Sequence, residues 1–429
     1  MNTYTRDMDH LGRRLPVRRS AAAMALAGLL LSAALLLLAA PPRALGQSPG
    51  TLLQAIPRPG YTPAQIDALV VPLFEGFEQP RSRLGVNVYE LTYTSTDFDG
   101  SIAVIHARLF VPVYDAPVER PVLVFGSGTT GIADACAPSR EQPEVRRWGY
   151  YRANMLAYAG AGIITVFPDY LGFNDPERPQ RYFSRAAEGH VMLDAARAVR
   201  RFFERHDSVV RPAEAVFTAG YSQGGHAAFA AADLRPNYAP DVPLAGVIGF
   251  AATTDVAALL REGAYYAPYI LYTYSRMYGR DTIDPSRYFE ERWARTLEAD
   301  VERMCVDQFQ SYYPFDGRRL YRADFYAALH GGELDWRFPA LAAALRDNKS
   351  GVSGHGLPAL VVQGGDDIIV TTKAQTRFVE ELRAAGSEVR YLVFPGVRHR
   401  DTRPVGFAAS LEWIEARFSG RPSVKGSAP

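Results

Sequence analysis

The stretch from Ala215 to His226, Ala-Val-Phe-Thr-Ala-Gly-Tyr-Ser-Gln-Gly-Gly-His, constrains this chain more than any other. An apolar run long enough for one strand ends in Gly220-Tyr221-Ser222-Gln223-Gly224, and alanine-rich sequence suited to a helix follows at once. A strand that passes straight into a helix must turn sharply. Glycines permit that turn, because without a Cβ they accept backbone angles and close approaches barred to other residues. Ser222 is thereby lifted above the end of a sheet, and the first helical turn offers backbone N–H groups that favour negative charge. G-x-S-x-G also arises by chance as an inert turn; the strand before it and the helix after it make it informative here.

The rest of the chain must supply that sheet. Short apolar runs fall at 122–125, 163–167, 215–219, 247–250, 360–362 and 389–394. Continuous rather than alternating apolarity marks strands buried on both faces. Helical candidates lie between them at 150–158, 186–205, 226–233, 372–385 and 405–418. This alternation predicts an α/β domain with a mostly parallel central sheet flanked by helices. Ahead of it, residues 83–113 alternate in strand fashion around Asp97-Phe98-Asp99-Gly100, which predicts an antiparallel pair. Residues 253–356 break the rhythm: they carry no buried-strand pattern, but many tyrosines and helix-like segments such as 285–305. A connection that long must have structure of its own, so a helical cap inserted between two strands is expected. The plan is a leader at 1–46, a core at 47–252 and 357–420 interrupted by a cap at 253–356, and a polar tail at 421–429.

The leader has arginines up to Arg19, an apolar run at 21–40, a Pro41-Pro42 break and small residues at Ala44 and Gly46, the pattern of an export signal cleaved after Gly46. The expected location is secreted or periplasmic. The apolar run exceeds a usual signal core and would just cross a bilayer, so a retained N-terminal anchor is the alternative. The whole chain carries a net charge of +1, whereas its first 46 residues hold six arginines against two acids; the surplus of four leaves −3 beyond Gly46. No basic field of the kind nucleic-acid binding requires remains. Cys136 and Cys305 are the only cysteines. In an exported chain a lone pair is more often bridged than free, two unrelated buried thiols being the alternative.

A serine hydroxyl is a weak nucleophile and needs a base, itself oriented by an acid. On a sheet of this kind the chain order is Ser, then Asp or Glu, then His. The run Leu360-Val361-Val362-Gln363-Gly364-Gly365-Asp366-Asp367-Ile368-Ile369-Val370 places two acids at a strand end. On the residues alone either aspartate could serve; resemblance to hydrolases that carry G-x-x-D-x-x-V here, matched from Gly364 to Val370, implies Asp367, with Asp366 the alternative. Of eight histidines only His399 follows both the serine and the acid on a loop between the last strand and the last helix. His106, His190 and His206 precede Ser222, His226 is assigned to packing against the sheet, and His330 and His355 lie in or beside the cap. A tetrahedral oxyanion needs preorganised donors. The backbone N–H of Gln223 is one. The glycine-dense loop Phe125-Gly126-Ser127-Gly128-Thr129-Thr130-Gly131 offers the other, with Thr129 the leading donor and Thr130 the second choice.

These residues resemble the secretory lipase family, lipase A type, of the α/β-hydrolase superfamily. The resemblance rests on Gly128-Thr129-Thr130-Gly131 followed by Cys136-Ala137-Pro138-Ser139, on Pro168-Asp169-Tyr170-Leu171-Gly172, on Gly220 to Gly225, and on a cap inserted before the acid. It implies an α/β-hydrolase fold, hydrolysis of carboxylic and often lipid esters through an acyl-enzyme, and no metal or organic cofactor. It also implies a bridge from the oxyanion loop into the cap, which here would join Cys136 to Cys305. Ser127 stands where many relatives have His, a departure that bears on the oxyanion donor. The expected partners are small-molecule or lipid esters met by a monomer, with a lipid surface touching the cap. A serine peptidase or acyltransferase using the same triad is the rival reading, and a non-catalytic binding protein a second. The cap tyrosines suit acyl chains, with apolar faces and polar rims, and equally suit simple packing.

Overall fold

The computed structural model describes residues 48–420 apart from 143, 144, 146, 176 and 177; the leader at 1–46 and the tail at 421–429 lie outside the described residues. Nine strands form one sheet: β1 Leu52–Tyr61, β2 Val86–Thr96, β3 Ile102–Pro112, β4 Val118–Gly126, β5 Ile164–Pro168, β6 Val210–Tyr221, β7 Leu244–Phe250, β8 Ala359–Gly364 and β9 Val389–Phe394. Their spatial order is β1-β2-β3-β5-β4-β6-β7-β8-β9. The pairs β1/β2, β2/β3 and β3/β5 are antiparallel, and every pair from β5/β4 to β8/β9 is parallel. The hairpin expected at 83–113 is β2/β3, in unbroken register from Val86 opposite Pro112 to Thr96 opposite Ile102.

Thirteen α-helices cover or extend this sheet among the described residues: α1 Pro63–Val70, α2 Tyr151–Gly160, α3 Arg185–Arg205, α4 Gln223–Tyr238, α5 Val256–Glu262, α6 Ala267–Tyr278, α7 Glu291–Arg303, α8 Val306–Tyr312, α9 Ala323–Gly331, α10 Leu334–Arg337, α11 Pro339–Asp347, α12 Thr372–Ala384 and α13 Thr402–Phe418. Alternate residues of β6 identify the two layers, since successive side chains leave opposite faces of a strand. Phe217 meets the Trp413 ring of α13, and the Thr218 hydroxyl donates to Ala228 O of α4. With α13 pack α2 and the turn after α1, through Phe407 against Tyr158 and Phe74. With α4 packs α12, through Phe229 against Phe378. Among the described residues no helix is long and apolar enough to cross a membrane.

Two strands depart from expectation. β9 is half-buried along its whole length rather than covered on both faces, because it is the last strand of the sheet. β1 carries Pro57 and Gly60 and no clean alternation; it is tolerated as the opposite edge, where a missing N–H costs no ladder bond.

Between β7 and β8, which are neighbours in the sheet, the chain makes only helices and one isolated bridge, Phe289 with Tyr321. Its tyrosines are mostly interior. Tyr269 stacks on Phe309 and donates to Met304 O, Tyr274 donates to Phe183 O, and Tyr321 donates to Leu260 O. Packing therefore accounts for these rings, each hydroxyl finding the partner that burial demands.

The strand order places the site. From β4 the chain goes to β5 on one side, then crosses back to β6 on the other, so strand order reverses around β4. In open α/β sheets, crevices form at the carboxyl ends of strands where order reverses. The loops after β4 and β6 meet there.

Candidate active site

β6 ends at Tyr221 and α4 begins at Gln223, leaving Ser222 alone to make the turn, at φ 54° and ψ −113°. Such an angle is strained for a residue with a Cβ and persists only where its surroundings enforce it. Here Ser222 N–H donates to Phe250 O of β7, and Ser222 O accepts from Gly225 and Thr253 N–H. The flanking glycines are required by contact. A Cβ on Gly220 would lie 2.0 Å from Gly224 O, and one on Gly224 would lie 2.0 Å from Gly126 O. The turn and the end of β4 thus touch backbone to backbone, which brings the loop after β4 beside Ser222.

His399 Nε2 lies 3.0 Å from Ser222 Oγ, and His399 Nδ1 lies 2.7 Å from Asp367 Oδ2. The other carboxylate oxygen, Oδ1, accepts from Ile369 and Val370 N–H at 2.8 and 2.9 Å. Asp366 is exposed and faces away, its N–H donating to Val397 O. The acid and base loops are knitted together: Gly365 N–H donates to Phe394 O, and a Cβ on Gly364 would lie 2.4 Å from Val397 O. Thr402 Oγ donates to His399 O and fixes the loop from the helix side. Ser222 and Asp367 are each only 5% exposed, while His399 is partly exposed. Thr253 Oγ1, 3.5 Å from Ser222 Oγ, is a neighbour that no sequence pattern indicated.

In the loop after β4 the Gly128 N–H donates to the Tyr151 hydroxyl at 2.8 Å and is thereby occupied. The N–H groups of Thr129, Thr130 and Gln223 meet no acceptor among the described residues. The Thr129 hydroxyl shares a 2.7 Å hydrogen bond with Tyr182 OH, and Tyr170 OH donates to Ser127 O. Cys136 and Cys305 are joined, linking this loop region to the start of α8, and Val306 N–H donates to Thr130 O just beyond the bridge. Asp169 explains two of the motifs: buried after β5, it accepts from Ser139 N–H and from the Ser139 hydroxyl, and so holds the Cys136-to-Ser139 turn against the sheet end. Burial pushes its carboxyl up, and the Ser139 hydrogen bonds oppose that.

Beneath the turn lies a cluster that sequence reading missed. Glu188 of α3 is 1% exposed and accepts from Gln223 Nε2 at 2.7 Å, from Phe183 N–H, and faces His226 Nδ1 at 2.6 Å. His226 Nε2 donates to Asn348 O. His226 is fully buried, but its partners are on α3 and after α11 rather than on the sheet. Other histidines sit elsewhere: His190 Nδ1 on Thr96 O, His206 Nδ1 on Phe202 O, His330 tilted against the Tyr326 ring, and His355 Nδ1 accepting from Leu357 N–H. Among the described residues no group of His, Cys, Asp or Glu could hold a metal ion.

Known proteins share this architecture. A family model described as secretory lipase matches residues 153–426, a span that includes Ser222, Asp367 and His399. A Mycobacterium tuberculosis protein named a probable inactive lipase is 22% identical over 345 residues, 79% of this chain and 75% of its own length. The crystal structure of the rice cell wall degrading esterase LipA from Xanthomonas oryzae aligns with a TM-score of 0.67 at 19% identity, over 87% of this chain and 97% of that one. Candida antarctica lipase A aligns at 0.65 and 20% identity, over 87% and 83%. At such identities the structural likeness speaks for the fold, which is that of the α/β-hydrolases.

Proposed function

Since the chain belongs to the secretory lipase family, we propose that it is an exported serine hydrolase cleaving carboxylic esters, lipid or other acyl esters, through an acyl-enzyme on Ser222. The observation that carries this reading is the hydrogen-bonded line from Ser222 Oγ through both nitrogens of His399 to Asp367. His399 takes the serine proton as Oγ attacks the ester carbonyl and returns it to the leaving alcohol. Asp367, held by two backbone N–H groups, keeps the imidazole in the tautomer that presents a bare Nε2 to the serine. The N–H groups of Gln223 and Thr129 stabilise the oxyanion. Water then attacks the acyl-enzyme, activated by the same base. No step calls for a metal or an organic cofactor.

Export is supported by family membership and by the bridge between Cys136 and Cys305, since disulfides persist in oxidising compartments. The protein acts as a monomer on small or lipid esters, the cap meeting a lipid surface and moving aside to admit substrate to the covered serine.

Ser222→Ala should cut hydrolysis of p-nitrophenyl butyrate by at least about a thousandfold while the fold is retained. Turnover by that variant near the wild-type rate would overturn the assignment. A relative named as inactive supports a second reading, a silent binding protein on the same fold. Covalent labelling of the wild type, but not of Ser222→Ala, by a fluorophosphonate probe excludes it; no labelling of either favours it. Peptide substrates cleaved as fast as esters would favour a peptidase.

A further inference from the structure

Arg403 is a buried cation that this mechanism leaves unused. It lies in the first turn of α13, four residues after His399, and is 4% exposed. Among the described residues it forms no ion pair: Nη1 donates to Asn154 Oδ1 at 3.2 Å, and Nε meets no acceptor. Its guanidinium carbon is instead 4.9 Å from the centre of the Tyr151 ring and 4.7 Å from that of Tyr221. A buried charge without a carboxylate is costly, and two aromatic faces with their negative quadrupoles are what offset it here.

Both rings lead to the reacting atoms. Tyr221 immediately precedes Ser222, and its ring centre is 5.0 Å from that of His399. Tyr151 accepts the Gly128 N–H through its hydroxyl, and so sets the loop that carries Thr129. Burial pushes both phenols well up, against the lowering influence of Arg403, so each remains a neutral hydroxyl. Tyr151 is itself held from behind. Glu141 accepts from the N–H groups of Trp148, Gly149, Tyr150 and Tyr151 at 2.7 to 2.9 Å, which fixes Tyr150 at φ 52° and the start of α2.

We propose that Arg403, clamped between Tyr151 and Tyr221, is a positioning residue that holds the oxyanion loop at its working distance from Ser222 and His399. Its action runs through Tyr151 to Gly128 on one side and through Tyr221 to the serine turn on the other. This rests on the serine-esterase reading of the same site. Plain core packing would make Arg403 matter for stability alone, and a methionine of similar length would then serve. Positioning makes it matter for kcat, because the oxyanion donors count only at correct distance.

The test compares Arg403→Met, Arg403→Lys, Tyr151→Phe and the Met/Phe double variant on p-nitrophenyl butyrate, with amide exchange read over residues 126–132. Arg403→Met and Tyr151→Phe should each lower kcat by about tenfold or more with KM little changed. Arg403→Lys should recover part of the loss, and the double variant should fall less than the product of the singles. Exchange in the loop should quicken in Arg403→Met and in Tyr151→Phe, a readout that needs no turnover. If Arg403→Met does not fold, Tyr151→Phe and Arg403→Lys carry the comparison. Wild-type kcat and unchanged loop exchange in the folded variants would overturn the clamp. A wild type that neither hydrolyses esters nor takes the fluorophosphonate would defeat the functional reading instead, and loop exchange would still decide whether Arg403 positions the loop.

Discussion

Asp366 and Asp367 are neighbours with opposite fates, and the spacing that separates them has a physical meaning. Gly364 stands where a side chain would strike Val397 O, and Val370 supplies one of the two N–H groups that grip Asp367 Oδ1. Only the residue three after that glycine can turn Oδ2 toward His399. Asp367→Asn should therefore cut kcat on a p-nitrophenyl ester by about 10⁴-fold, the amide favouring the wrong imidazole tautomer. Asp366→Asn, exposed and bonded only through its backbone, should leave kcat unchanged. Equal losses in the two variants would show that the acid has been misassigned. That Ser222, Asp367 and His399 meet was legible, because each follows the end of a strand in the expected order. Arg403, Tyr151 and Glu188 were not: nothing local tells that a cation four residues past a histidine lands between two rings from other elements.

The short helix α8 is tied to the core at two points and to the rest of the cap at a third. Cys305, at its N-terminus, is bridged to Cys136; Val306 N–H donates to Thr130 O; and Gln310 donates to the Tyr266 hydroxyl. The bridge closes a loop of 169 residues, and loops that long gain most from closure in the unfolded chain. Replacing both cysteines by serine should cost about 2–5 kcal/mol, seen as a lower urea midpoint with an altered slope; an unchanged midpoint would mean that the packing around α8 suffices alone. Element boundaries show where local reading stops. α13 starts at Thr402, not 405, because Pro404 falls in the first turn, where a missing N–H costs nothing. α4 starts at Gln223 although two glycines follow it: Gly224 is demanded by contact with β4 and Gly225 by Ala252, whose Cβ a side chain there would meet at 2.4 Å. Tertiary contact overrides propensity at both.

Stability of the whole molecule depends on pH through a buried network that joins β2, α3 and α4. Asp194 has a fully buried side chain that accepts from Ser95 and Tyr238 hydroxyls and from Arg197. Burial pushes its carboxyl up to about 6, with those hydrogen bonds opposing. Arg197 also binds the half-exposed Asp241, and that hydrogen bond, the largest influence, holds Asp241 down to about 2. The two acids therefore respond to acid with opposite signs. A raised folded-state value means that the native protein binds a proton more readily than the unfolded chain between about pH 4 and 6. Asp194 thus contributes stability that is fully present below pH 4 and lost as pH rises through 6, to a limit of about 3 kcal/mol. Asp194→Asn has no proton to bind. The stability gap between wild type and variant, from urea unfolding at a series of pH values, should widen in the wild type's favour as pH falls from 7 to 4. A gap that narrows instead would show that Arg197 keeps Asp194 ionised in the fold, and that its pairing outweighs its burial.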